Sequence, residues 1–178
     1  PGTTNEMIDE AYDAAREAGA TGGALPLMRD QLEQSFFLLN GDTLFDASLS
    51  RLEQTLLDSD KLAAVALRSV PDTARYGRVT LDGADVVGFA EKSAQKNESG
   101  AGLINGGVYA LRREAVDRLG TPSSIETDLL PALVTEGALG GVVDAGFFID
   151  IGLPETYKQA QTGVPEWWQE KLASKKSL

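Results

Sequence analysis

The sequence predicts an α/β domain with a mixed, mainly parallel central sheet. Three observations carry this expectation. Short apolar runs that suit strands buried on both faces occur at residues 35–39 (SFFLL) and 61–70 (KLAAVALRSV). Amphipathic stretches with helix caps fall between such runs, as at residues 48–58. Strand-like and helix-like segments alternate along the chain, as they do in α/β folds. A length of 178 residues fits one domain. A chain of that size buries roughly 70% of its unfolded surface, enough to build a core without staples.

Taken in order, residues 4–18 read as a helix capped by Thr4, with Glu6, Asp9 and Glu10 near its positive end and Gly19 as its stop. Its apolar face (Met7, Ile8, Ala11, Ala14, Ala15) is thin. Thr21-Gly22-Gly23 then leads a helical pattern to about Gln34. The SFFLL run ends in Asn40-Gly41-Asp42, a turn signal. Ligand sites in open α/β sheets lie at the carboxyl ends of strands, so Asp42 is placed to serve one. Residues 48–58 form a helix capped by Ser48, with Leu49, Leu52, Leu56 and Leu57 on one face, and 61–70 a second buried strand. Tyr76–Leu81 and Val86–Glu91 read as a hairpin around Asp82-Gly83, followed by a polar loop at 93–100.

Leu103–Leu111 is an apolar strand interrupted by Gly106-Gly107, a mark of close approach by a ligand or another backbone. Arg112–Leu119 and 124–136 read as helices, the second capped by Ser123 or Ser124. Residues 141–151 hold one or two strands, and a helix starts at Pro154 and runs to Gln161. The expected division is a domain over 1–163 and a tail over 164–178, Trp-rich and then Lys-rich.

Composition narrows the chemistry. The chain has neither cysteine nor histidine. Disulfides, Cys or His zinc sites, thiol nucleophiles and a Ser-His-Asp triad are therefore impossible within it. With 27 acidic and 16 basic side chains the formal charge is −11, which argues against a binder of nucleic acid polymers but leaves room for a small nucleotide held with a divalent metal. Residues 1–10 lack the positive region of a secretory signal, and no apolar run approaches the ~18 residues of a membrane span. No membrane partner and a cytoplasmic location are expected, the latter in keeping with the lack of cysteine. The chain begins with Pro rather than Met, which fits a fragment or a processed chain.

Two carboxylates stand out, each directly after an apolar run: Asp42, and Asp150 after Phe147-Phe148-Ile149. Two carboxylates completed by phosphate oxygens and water are a usual way to hold Mg²⁺. A turn-forming Asp after each strand is the alternative. Thr21-Gly22-Gly23 suits a nucleotide or an ordinary glycine-rich loop. Glu91 and Lys92 suit sugar hydroxyls and a phosphate, or a solvated ion pair. Asn105-Gly106-Gly107 suits a sugar or a bulge. Trp167-Trp168 suits a terminal anchor or a subunit contact, and self-association is one expectation for the pair and for any exposed strand edge.

The order of these segments is more specific than any one of them. Thr21-Gly22-Gly23-Ala24-Leu25, Phe36 to Asp42 (FFLLNGD), Tyr76-Gly77, Phe89-Ala90-Glu91-Lys92, Ile104 to Tyr109 (INGGVY) and Phe148 to Glu155 (FIDIGLPE) occur in that sequence. Together they resemble the sugar-1-phosphate nucleotidyltransferase family, most of all its heptose-1-phosphate and mannose-1-phosphate guanylyltransferase branch. The resemblance implies a Rossmann-like fold and transfer of a nucleotidyl group, GMP from GTP, to a sugar 1-phosphate. It implies that Asp42 and Asp150 hold the catalytic metal, Mg²⁺. It further implies that Lys92 and Glu91 meet the sugar phosphate and sugar, that Gly77, Asn105, Gly106 and Gly107 line the sugar pocket, and that Thr21, Gly22 and Gly23 lie under the base.

The family's opening GGxGTR loop and its downstream PK lysine do not occur in this sequence. The first β/α units are therefore expected to be missing, and the 178 residues alone are expected to transfer poorly or not at all. Ala20 also replaces a usual glycine, and Ser93 the proline of the family's EKP. A non-catalytic sugar-nucleotide-binding module is one alternative. A nucleotide-sugar-dependent glycosyltransferase is another, against which Asn40 at the first position of a D-x-D pair weighs.

Overall fold

A computed structural model describes residues 21–90, 100–120 and 122–175. The predicted helix at 4–18 and the pair Glu91-Lys92 lie outside the described residues. The first described element is helix α1 (Thr21–Met28), followed by β1 (Ser35–Leu39), β2 (Thr43–Phe45), α2 (Leu49–Leu57) and β3 (Ala63–Val70). Next come β4 (Arg78–Asp82), β5 (Asp85–Ala90) and β6 (Gly102–Arg112). A 3₁₀ stretch (Arg113–Arg118), a π turn (Ile125–Leu129), α3 (Leu130–Thr135), β7 (Leu139–Asp144), β8 (Phe148–Asp150) and α4 (Pro154–Lys175) complete the order.

Among the described residues, six strands form the main sheet in the order β1-β6-β3-β7-β5-β4. β3 and β7 run parallel, whereas β1–β6, β3–β6, β4–β5, β4–β6 and β5–β7 are antiparallel. The mixed α/β class is as expected, but the sheet is not mainly parallel in its described pairings. β1, β3 and β7 share one direction, and the reason they do not form a parallel block is that β6 inserts antiparallel between β1 and β3. The β4–β5 hairpin spans the sheet unevenly. It touches β7 at Asp85–Gly140 and β6 at Arg78–Ile104, which brings the segment before β4 over one end of β6.

Burial follows the two-residue period of the strands. On β3, Ala63, Val65 and Leu67 pack with Tyr109, Leu111, Leu129, Leu130 and Leu133 on one face. Ala64 and Ala66 pack with Val108, Ala110, Leu52, Leu56 and Phe45 on the other. The central strand is thus covered on both sides, with α2 on one side and α1, the π turn and α3 on the other. Ser48 caps α2 as its sequence indicated, its Oγ accepting from Arg51 N at 3.3 Å.

β1 departs from the expectation of a strand buried on both faces. Phe36 and Leu38 pack on the core, while Phe37 and Leu39 are 39% and 56% exposed. α2 packs chiefly over β3, β6 and β7, which leaves that face of β1 only partly covered among the described residues. The last helix also differs from its expected limits. α4 runs through Val164 to Lys175, so the boundary expected after residue 163 falls inside a continuous helix.

Candidate active site

β2 and β8 form a separate two-stranded antiparallel ribbon, in which Thr43 pairs with Asp150, Leu44 with Ile149 and Phe45 with Phe148. Asp46 N donates to Phe147 O (2.8 Å) at one end and Ile151 N to Asp42 O (2.9 Å) at the other. The ribbon therefore sets Asp42 and Asp150 side by side although they are far apart in sequence. Gly152 N donates to Asp150 Oδ1 (2.6 Å), and Thr43 Oγ1 donates to Asp42 Oδ1 (3.2 Å). A Cβ on Gly152 would lie 3.0 Å from Asp150 Oδ1 and 4.0 Å from Asp42 Oδ2, so both carboxylates reach toward the same point. Among the described residues no group of three or more acidic side chains gathers to enclose a metal by itself. Two carboxylates at an open rim fit a hard ion that fills its other positions with water and phosphate oxygens.

α4 braces the ribbon from outside the chamber. Trp167 stacks on Phe147 (centroids 5.1 Å apart), and Lys171 pairs with Asp46 while lying over the Trp167 ring. Trp167 is thus the anchor of the Trp pair, while Trp168 is 49% exposed. Phe148 meets Phe45 and Tyr76 edge to face, tying the ribbon to the core and to the hairpin approach.

Asp42 and Asp150 border a chamber of about 720 Å³. Its other walls come from Tyr76, Gly77 and Phe89, from Asn105 and Gly107 of β6, and from Ser124, Ile125 and Glu126 of the π turn. Burial raises the Tyr76 phenol above its ordinary pKa, Arg75 opposes the shift, and the Asp150 charge adds to it.

The β6 wall is closely determined. Asn105 Oδ1 accepts from Gly107 N (3.0 Å), while Asn105 Nδ2 donates to Tyr109 Oη (2.7 Å) and Glu126 Oε1 (3.4 Å). Tyr109 is 1% exposed, and burial, the largest cause, raises its pKa far above the ordinary tyrosine value. Gly107 adopts φ 71°, with Asn40 packed against it and Asn40 N donating to Gly107 O (2.8 Å). A positive φ of this kind favours glycine.

The structure brings Asp42, Asp150, Gly77, Asn105 and Gly107 around one space. Gly106 faces away from it, where an added Cβ would lie 2.4 Å from the Phe45 ring. Gly22 and Gly23 are buried in the first turn of α1 and do not line the chamber. A Cβ on Gly22 would meet Ser123 O at 2.7 Å, so this turn packs directly behind the Ser124–Glu126 wall. Sequence reasoning missed Ser124, Glu126, Tyr76 and Phe89 as wall residues. The Ser124 cap was legible, and it could have drawn attention to Glu126 two residues on.

The family model "Nucleotidyl transferase" matches residues 3–166. The chain belongs to this family. The D-glycero-alpha-D-manno-heptose 1-phosphate guanylyltransferase of Campylobacter jejuni is 36% identical over 82% of this chain and 63% of its own length. Its counterpart from Aneurinibacillus thermoaerophilus is 31% identical over 84% and 65%. The chain therefore spans just under two thirds of these curated relatives. HddC from Yersinia pseudotuberculosis, in a crystal structure complexed with GMP-PN, superposes with a TM-score of 0.65 at 32% identity, covering 79% of this chain and 60% of that one. The described helices include none long and apolar enough to cross a membrane.

Proposed function

We propose that the protein transfers a nucleotidyl group, GMP from GTP, to a sugar 1-phosphate, giving an NDP-sugar and pyrophosphate. The observation that carries the proposal is the pairing of Asp42 and Asp150 across the β2–β8 ribbon at the rim of a chamber. The names of the relatives, which are heptose 1-phosphate guanylyltransferases, and the GMP-PN complex of a similar structure support the choice of base and sugar class.

Asp42 and Asp150 would hold Mg²⁺. Bound there, the ion would neutralise charge on the reacting phosphates. An oxygen of the sugar phosphate attacks the α-phosphorus, a new P–O bond forms, and the bond to pyrophosphate breaks. The nucleophile is already an anion, so no general base is required, in keeping with a chain that has no histidine. What remains for the protein is positioning and electrostatics. Lys92, two residues beyond β5, offsets the charge of the sugar phosphate, and Glu91 accepts from sugar hydroxyls. Gly77, Asn105 and Gly107 give the sugar close approach, and Gly106 supports that wall through its contact with Phe45. Thr21, Gly22 and Gly23 would serve the base from behind the Ser124–Glu126 wall, through the backbone of the α1 turn and not as part of the chamber lining. The substrates are a nucleoside triphosphate and a sugar 1-phosphate, and the location is cytoplasmic.

The experiment is pyrophosphate release by the complete gene product over a panel of nucleoside triphosphates and sugar 1-phosphates with Mg²⁺. Release with GTP and heptose or mannose 1-phosphate is expected. No release with any pair overturns the transfer reaction. Near-normal turnover by Asp42→Asn or Asp150→Asn overturns the metal assignment.

A further inference from the structure

The chamber has two acidic walls of different kinds. Asp42 and Asp150 reach toward one point on the ribbon. Glu126 stands apart from them, on the π turn, where Asn105 Nδ2 donates to its Oε1 at 3.4 Å. Among the described residues no Lys or Arg pairs with Glu126. Its position is nevertheless set from several sides. Ser124 Oγ accepts from Thr127 N (3.3 Å) at the start of the turn, and Gly22 packs on the Ser123–Ser124 backbone behind it. The Asn105 amide that meets it is itself fixed by Gly107 N and Tyr109 Oη.

An ionised carboxylate only accepts hydrogen bonds. With one oxygen held by Asn105, the other is left for a donor in the chamber. A sugar hydroxyl is such a donor. A phosphate, a uronic carboxylate or an acyl carbonyl is not, and the first two are also repelled by like charge. We infer that Glu126 is a specificity residue for this site: it accepts from hydroxyls of the sugar, orients the sugar with its phosphate toward Asp42 and Asp150, and selects neutral sugars with unmodified hydroxyls at the far end. This inference rests on the sugar-phosphate function proposed above.

The test is calorimetry of the native protein, Glu126→Ala and Glu126→Gln with GDP, GDP-mannose and mono-deoxy analogues of GDP-mannose. Glu126 is exposed, so both variants are expected to melt near the native temperature. Native protein is expected to lose about ten- to hundred-fold in affinity for the analogue that lacks the hydroxyl facing Glu126. Glu126→Ala should bind GDP-mannose more weakly by that same factor and no longer distinguish that analogue, while its affinity for GDP stays native. Glu126→Gln, which keeps one acceptor oxygen, should fall between. Unchanged discrimination in Glu126→Ala, or an equal loss for GDP and GDP-mannose, overturns the inference alone. Native protein that binds GDP-mannose no better than GDP also overturns it, and pyrophosphate release then decides separately whether the transfer reaction stands.

Discussion

On the ribbon wall, Asp42 and Asp150 have one close side-chain hydrogen bond each among the described residues, from Thr43 Oγ1 and Gly152 N. On the opposite wall, Asn105 makes three hydrogen bonds, to Gly107, Tyr109 and Glu126, and Tyr109 behind it is fully buried. The first wall leaves negative charge for a ligand to complete. In the second, Asn105 has committed its polar groups to fixing the wall's shape, and one Glu126 oxygen is left facing the chamber. The proposed transfer to a sugar 1-phosphate would use both, because charge neutralisation is supplied on binding whereas selectivity depends on groups already held in place.

That contrast predicts separate kinds of damage. Asp42→Asn and Asp150→Asn should lower nucleotidyl transfer by about a hundred-fold or more, since several kcal/mol of charge stabilisation is lost. Their melting temperatures should stay near native, because few internal bonds depend on the charges. A large stability loss in either would mean that the ribbon wall is structural after all. Gly106→Ala should do the reverse. Its Cβ would sit 2.4 Å from the Phe45 ring, so overpacking should cost about 1–3 kcal/mol in a denaturant melt.

Tyr109→Phe should cost about 1 kcal/mol in the same measurement, because Asn105 Nδ2 loses one acceptor in a buried setting. The smallest effect concerns Asp144, where β7 ends and the chain turns toward β8. Burial alone would raise this carboxyl's pKa. The N–H groups of Ser48, Gly146 and Ala145 and the Arg51 charge outweigh burial and hold it below its ordinary value. A lowered native pKa gives stability that is present above the unfolded value and lost as pH falls through the native one. Thermal melts of Asp144→Asn and native protein should therefore differ at neutral pH and converge below about pH 4.

Much of this architecture was legible in local pattern. The hairpin around Gly83, the Ser48 cap and the buried run of β3 each depend on neighbours in sequence, and each is present, while 141–151, read as one or two strands, holds parts of two. β1 was not legible, because SFFLL reads as doubly buried whether or not a partner layer reaches it. The direction of β6 was hidden for a similar reason, since an apolar run carries no sign of which way its neighbours point. The site shows the same limit. Asp42 and Asp150 were found because each follows a strand directly. In Asn105-Gly106-Gly107 the pattern could not say which residues face the chamber. The pleat settles it, turning Asn105 and Gly107 inward and Gly106 toward Phe45. Glu126 had no strand end to advertise it.

The ribbon register also has a consequence for how the protein matures. Thr43 and Asp150 come from opposite parts of the chain, with α2 and nearly all of the main sheet between them. A pairing at so long a sequence separation costs more closure entropy than a local turn and tends to slow folding. During synthesis Asp42 emerges long before its neighbour across the ribbon. If the two carboxylates hold a divalent ion as proposed, that affinity should therefore appear only once the ribbon has closed. This makes it a reporter of completed assembly that secondary-structure signals, which develop earlier, would not provide.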